Sequence, residues 1–510
     1  MQLWEKILQL ALLGSERSHL EPVVEENLRQ YRVDPEDPLP QVILSGAAAL
    51  HQVRRLRMPT SAYTDPLPEP SADETAYEEL PSLSLQHLNQ ILSGRFRPAL
   101  PEFVRLLVDH RLLLPAEFLP ELLSDCLTDA ALWQDVQPLL GDRADWLIEQ
   151  HPQWRILKPR GLPERWPEAG HEERRLILGY LREREPKGAL DLLVADWEQT
   201  PYRKKLDYLE ILTTGLGSED EVFLEQARTD SRKEVRMKAA DLLAMIPDSQ
   251  LIRRIFNELE PVFTLDKARN RLDIAMPKEV SEATAADGIQ PGVRKGKRGG
   301  LKADWLFQCV SRIPARHWME RFGWTKEELI RYFDTTGRGD LLLAALGSAG
   351  LRFRDEELIT DLIRYLAFKN GVVPEDLDWQ ALTRRIPVGD FQDMVETFLR
   401  QQPGLLEEKH LITRMLELGK QPWTESMSRQ IIHGLKQWMA ESKTFLWNLW
   451  HYKRLLETAG YCSPVALLDE LAADWPMQSP VWNQWAPDVE RMLRIMRFRK
   501  EMRTPLGELR

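Results

Sequence analysis

Cysteine is scarce in this chain of 510 residues. The three present, Cys126, Cys309 and Cys462, lie far apart and form no Cys-x-x-Cys pair. Neither a disulfide framework nor a zinc-ribbon spacing is encoded, and such usage fits a reducing cytoplasm. Histidines are also few, ten and scattered. His171-Glu172-Glu173 opens like a zinc-protease helix, but Arg175 stands where the second histidine belongs. A glycine-rich phosphate loop is missing too. GVRKGKRGG lacks both the closing hydroxyl residue and a preceding strand, and GLGSED from Gly215 reads as a turn between helices. No Ser-His-Asp or Cys-His arrangement stands out, so no cofactor and no catalytic residue is expected, and an enzyme is the less favoured reading.

Basic excess is absent as well. There are 68 Lys and Arg against 79 Asp and Glu, a formal net charge of -11, which disfavours a broad nucleic-acid surface while leaving room for a local basic groove. No segment approaches the roughly 20 apolar residues that span a bilayer. At the N-terminus Glu5 and Lys6 interrupt what would be the apolar part of a signal peptide. Leu3, Ile7, Leu10 and Ala11 recur there at helical spacing, so the segment is read as a docked first helix. Alternating strands and hairpin signals are not apparent anywhere.

What the chain does contain is helical periodicity cut into short lengths. The clearest piece is DSRKEVRMKAADLLAMIP, in which Val235, Ala239, Leu242, Leu243 and Ile246 mark one helix face. Asp230 is read there as the N-cap and Pro247 as the stop. Most of the 34 prolines fall between such patterns, Pro115 and Pro120 at expected helix starts, where a missing N–H costs little. Short amphipathic helices of this kind bury their stripes by stacking on neighbours, so residues 171–247 predict antiparallel pairs in an α-solenoid. The expected organisation is an N-terminal helical unit over 1–160 with a proline-rich linker at 59–81, a repeat region over 161–264, an irregular basic connector over 265–302, and a C-terminal helical unit over 303–510. In the first unit, Ala47-Ala48-Ala49 permits close helix packing.

Three stretches together resemble a bacterial family of unknown function with HEAT-like repeats: LWEKILQLALLGSER, the segment at 141–154, and the helix pairs ending in the Asp230 motif. Family members show Gly-x-Arg-Gly-x-Trp-Leu-Ala-x-x-Asn-Pro-x-Trp. Gly141, Arg143, Trp146, Leu147, Pro152 and Trp154 match it, while Ala144, Ile148 and His151 depart from it. The resemblance implies an all-α fold with a HEAT-like core flanked by helical units. It also implies that Asp230 and Arg236 brace neighbouring repeats. Genes of the family often lie near a MoxR-type AAA+ ATPase, a von Willebrand A-domain protein and a SWIM zinc-finger protein, which suggests those as partners.

Four further features bear on function. Arg294, Lys295, Lys297 and Arg298 form the only dense basic run, glycine-rich and free of acids, and are the candidate contact loop. The C-terminal segment carries a stripe of Val489, Met492, Leu493 and Met496, with Ile495, Phe498 and Met502 breaking its polar side, so a helix gripped on two sides is expected. The tryptophans from Trp423 to Trp485 are read mainly as core. Arg203, Lys204, Lys205, Arg232, Lys233 and Lys238 are the residues a nucleic-acid groove would use. The leading expectation is a non-enzymatic scaffold or adaptor for other proteins, with a nucleic-acid-binding helical repeat as the alternative.

Overall fold

A computed structural model describes residues 2–14, 19–31, 33–56, 69, 80–110, 112–151, 153–157, 166–266, 268–277, 287–289, 300–404, 406–419, 421–442 and 450–504. Among these the protein is overwhelmingly helical, with 26 α-helices and one two-stranded hairpin. No helix among the described residues is long and apolar enough to cross a membrane. The chain divides into two compact units, Met1–Pro70 and Ser71–Arg510.

In the first unit the helix Gln2–Leu13 packs on Leu39–Leu56, with Pro22–Gln30 beside it. Ile7, Val24, Leu28, Val33 and Val42 form its small core. The closest approach is at Gly46, where a Cβ would lie 2.8 Å from Ile7 Cδ1 and 2.9 Å from Leu28 Cδ2. The alanines that follow contribute through Ala47 and Ala49, which pack against the same core.

The second unit holds two apolar clusters. One is built from residues 80–157, and the other runs continuously from Trp166 to Met496. In the larger cluster the helix His171–Arg184 packs on Tyr202–Ile211, and that helix packs on Lys233–Leu243. Pro186–Asp196 and Glu221–Ala227 pair with them as the alternate members. The same next-but-one contact recurs from Lys326–Asp334 through Glu356–Lys369 and Val388–Gln401 to Glu425–Glu441. Prolines open several of these helices, Pro101, Pro120 and Pro186 among them, where the first turn has no N–H to lose.

The C-terminal helix Trp482–Glu501 is gripped on both sides. Val489, Met492, Leu493 and Met496 enter the large cluster, while Ile495, Phe498 and Met502 enter the 80–157 cluster. Trp423, Trp475 and Trp485 are core, as read from the sequence, but Trp450 is 53% exposed.

Two local expectations need correction. A hairpin pairs Phe263–Asp266 with Arg271–Ile274. Four residues per strand are too few for alternation to be seen against loop sequence, and the pair is held by packing of Phe263 and Leu272 into the core. Asp230 is not the N-cap of the helix Lys233–Leu243, because that position belongs to Arg232, and the helix ends at Leu243, before Pro247.

Three histidines, His87 buried and His317 and His410 half-buried, set a pH dependence. His87 lies edge-on to Phe498, His317 edge-on to Phe256, and His410 stacks on Phe398. Burial is the main cause holding each below the ordinary imidazole range. A depressed folded pKa means that the unfolded chain takes up the proton first as pH falls through about 6.5. The stability is therefore full above that pH and lost progressively below it. Urea midpoints at pH 7.5 and 5.5 should show the lower value at 5.5, and replacing His87 by Phe should narrow the gap.

Candidate functional site

The contact-loop candidates Arg294, Lys295, Lys297 and Arg298 lie outside the described residues. The bracing candidates are described. Asp230 Oδ2 accepts from Lys205 Nζ on the neighbouring helix at 2.9 Å, and its Oδ1 accepts the Arg232 amide at 2.8 Å. Burial pushes the Asp230 carboxyl up, but the Arg232 amide and Lys205 outweigh it, and the net shift is downward. Arg236 does not reach that carboxylate. It donates to the backbone carbonyls of Asp230 and Ser231, at 2.8 and 3.0 Å, and so stiffens the turn.

Of the candidate groove residues, Lys205 is buried over the Trp197 ring and tied to Asp230, and Lys238 is paired with Glu210. Arg203 and Arg232 both lie over Tyr202. The structure therefore does not bring these six into one set of free cations.

It brings together instead a cleft of about 580 Å³ that no local sequence pattern announces. Three stretches wall it: residues 372–380, 408–418 and 450–454. The helix Glu356–Lys369 stops at Asn370, and Gly371, at φ +68, turns the chain so that Val372 and Val373 face the cleft. The Gly371 carbonyl accepts the Leu411 amide at 2.9 Å, which ties the first wall to the second. His410 caps the helix Leu411–Glu417, its Nδ1 accepting the Ile412 amide at 3.2 Å. The third wall is the first turn of Trp450–Cys462, anchored by Tyr452, whose hydroxyl donates to the Leu406 carbonyl at 2.6 Å.

The polar centre of the cleft is His451. Its Nε2 lies 2.7 Å from Glu408 Oε1, and its Nδ1 lies 3.0 Å from Glu417 Oε1. Glu417 is buried, and burial pushes its carboxyl up, opposed by the His451 and Arg454 charges. Two carboxylates facing both ring nitrogens are satisfied when the ring donates twice, or when Glu417 carries the shared proton. In either arrangement both nitrogens are engaged.

Around that centre stand two aromatic platforms. The Arg414 guanidinium sits 4.3 Å over the Trp379 ring. Trp450 lies against His451 with ring centroids 3.9 Å apart. Val372, 62% exposed, and Trp450 give the cleft an apolar rim. Lys409, Arg414 and Arg454 line it too, and among the described residues none of the three has an ion-pair partner.

Among the described residues no three His, Cys, Asp or Glu side chains converge to hold a metal ion. The three cysteines are all buried, and burial pushes the Cys126 and Cys462 thiols up to about 12 and Cys309 higher still. Thiolate chemistry is therefore not poised at any of them.

A family model described as a family of unknown function (DUF5691) matches residues 6–506. The chain belongs to this family. No curated protein and no solved structure matches it. The match to DUF5691 takes in all three walls of the cleft.

Replacing Gly371 by alanine should collapse the junction of the first two walls. An added Cβ would lie 2.0 Å from the His410 ring, and the backbone there is left-handed. Strain at such a position costs about 1–3 kcal/mol before the clash is counted. The urea midpoint of the Gly371→Ala protein should fall accordingly, and an unchanged midpoint would show that the turn relaxes freely.

Proposed function

We propose that this protein is a non-enzymatic helical-repeat scaffold that binds other proteins, with the Trp450 cleft as one contact point. The observation that carries the reading is the composition of that cleft: exposed Trp450 and Val372 beside Lys409, Arg414 and Arg454, none of them in a close ion pair among the described residues. Tryptophan and arginine in a concave site are the residue types that dominate protein–protein binding energy. The central histidine has both nitrogens occupied by carboxylates, which leaves no ring nitrogen for proton transfer to a substrate.

The HEAT-like solenoid reading is supported by the next-but-one packing of His171–Arg184, Tyr202–Ile211 and Lys233–Leu243, since repeats contact mainly their neighbours. The Lys205–Asp230 pair links two successive members of that row. By family resemblance, an AAA+ ATPase or a von Willebrand A-domain protein is the proposed partner. The nucleic-acid alternative is weaker because Lys205 and Lys238 are consumed by internal ion pairs.

The test is affinity purification of the tagged full chain from its native cells, with nuclease treatment and mass spectrometry. Stoichiometric recovery of such a partner regardless of nuclease supports the scaffold. Binding of duplex DNA that falls steeply with salt, with no protein partner, would replace it with the alternative.

A further inference from the structure

We propose that the cleft takes an acidic peptide segment of its partner, carrying one aromatic or branched apolar residue among Asp and Glu. The proposal rests on the scaffold reading and names the chemistry of what that scaffold holds. Its starting point is an imbalance of charge inside the cleft. The two carboxylates that line it, Glu408 and Glu417, both point at His451. Of the three cations that line it, Arg454 shares Glu417 with His451, while Lys409 and Arg414 are in no ion pair among the described residues. An anionic ligand supplies what the cleft lacks.

The form of the cations argues for carboxylates. Stacking over Trp379 holds the Arg414 guanidinium by its face, which leaves its in-plane N–H groups to fork onto a carboxylate. Lys409 and Arg454 are exposed at the same cleft and reach acids on either side of the anchor. Trp450 and Val372 form the adjacent apolar surface, matched to one aromatic or branched side chain. A volume of about 580 Å³ suits a few residues of extended chain rather than a folded surface.

A nucleotide stacked on Trp450 is the competing occupant. Phosphates are usually cradled by converging backbone amides at a helix start or a glycine-rich loop. The helix start in this wall, at Leu411, is already capped. Ile412 gives its amide to His410, and Leu411 gives its amide to the Gly371 carbonyl. The cleft offers side-chain cations without that cradle.

The experiment is fluorescence anisotropy with the full chain and a labelled nine-residue peptide of alternating Glu and Asp around a central Phe. Comparison peptides have Phe replaced by Ser, or every acid replaced by Lys, and ATP serves as competitor. The acidic Phe peptide should bind at least tenfold more tightly than either comparison peptide. The Trp450→Ala protein and the Lys409→Glu, Arg454→Glu double variant should each lose at least tenfold. All three substituted residues are exposed, and a thermal melt checks that the variants fold. Equal binding of the Phe and Ser peptides, unchanged affinity in the variants, or displacement by ATP without peptide selectivity would each overturn the proposal.

Affinity purification with the Trp450→Ala protein separates this idea from the scaffold reading. A partner retained by wild type and variant alike sinks the cleft while the scaffold stands. A partner retained by neither, with the wild type also failing to bind peptide, sinks both.

Discussion

Asp220→Ala is expected to unfold the block of helices that begins at His171. Asp220 and Arg182 form the most deeply buried ion pair described, with side chains 3% and 1% exposed. Arg182 Nη1 and Nη2 each donate to one Asp220 oxygen at 2.8 Å. The same guanidinium also donates to the carbonyls of Thr214, Pro186 and Gly215 at 2.8–2.9 Å. One side chain thus closes the turns on both sides of the helix pair.

Removing the carboxylate alone leaves a buried cation without a counter-charge, which costs about 3–5 kcal/mol. It also frees the Gly217 amide, now 2.9 Å from Asp220 Oδ2. Urea denaturation should show a loss of that size, and a change below about 1 kcal/mol would mean that the pair is solvated in practice. The double variant Arg182→Met, Asp220→Leu should recover part of the loss, because both charges then leave together. Recovery stays partial because three carbonyls lose their donor. Gly215 belongs to this unit: its φ is +61, and a Cβ there would lie 2.3 Å from the Arg182 carbonyl oxygen.

The second large effect is expected at Arg499→Met. Arg499 donates through Nε to Glu102 at 2.6 Å and through Nη1 to the Gly460 and Ser463 carbonyls, each at 2.8 Å. This one buried guanidinium connects the 80–157 cluster, the end of Trp450–Cys462 and the C-terminal helix. Methionine keeps the stem volume but leaves two buried carbonyls without a donor and Glu102 with only the exposed Arg503, a loss of about 2–4 kcal/mol. The loss should be local first. Hydrogen-exchange protection should fall in peptides covering Leu100–Asp109 and residues 460–463, while peptides from Lys233–Leu243 keep theirs. Uniform loss across the chain, or none, would contradict the bridging role.

The helices were readable because each carries its own stripe. The periodic residues Val235, Ala239, Leu242, Leu243 and Ile246 are all buried as read. The two-sided grip on the C-terminal helix was readable for the same reason, since Ile495, Phe498 and Met502 break its polar side. The Phe263–Ile274 pairing was not, because four-residue strands carry too few alternations and depend on packing.

The cleft was invisible for a different reason. Gly371, Trp379, Arg414 and His451 span 80 positions, and none sits in a spacing that suggests chemistry by itself. Trp450 reads as one more tryptophan in a tryptophan-rich tail until its exposure is known. The same applies to Lys205, which looks like a surface cation in sequence and is buried against Asp230 and Trp197 in the structure.

By itself, then, the sequence determined the helical class, the short helix lengths and the apolar faces, because propensity, capping and 3.6-residue periodicity act within one turn or two of chain. Tertiary structure alone decided which charges are paired and which are left over. Electrostatic partnership depends on distance in space, and the pairs that matter here, Arg182 with Asp220 and Arg499 with Glu102, are 38 and 397 residues apart in the chain.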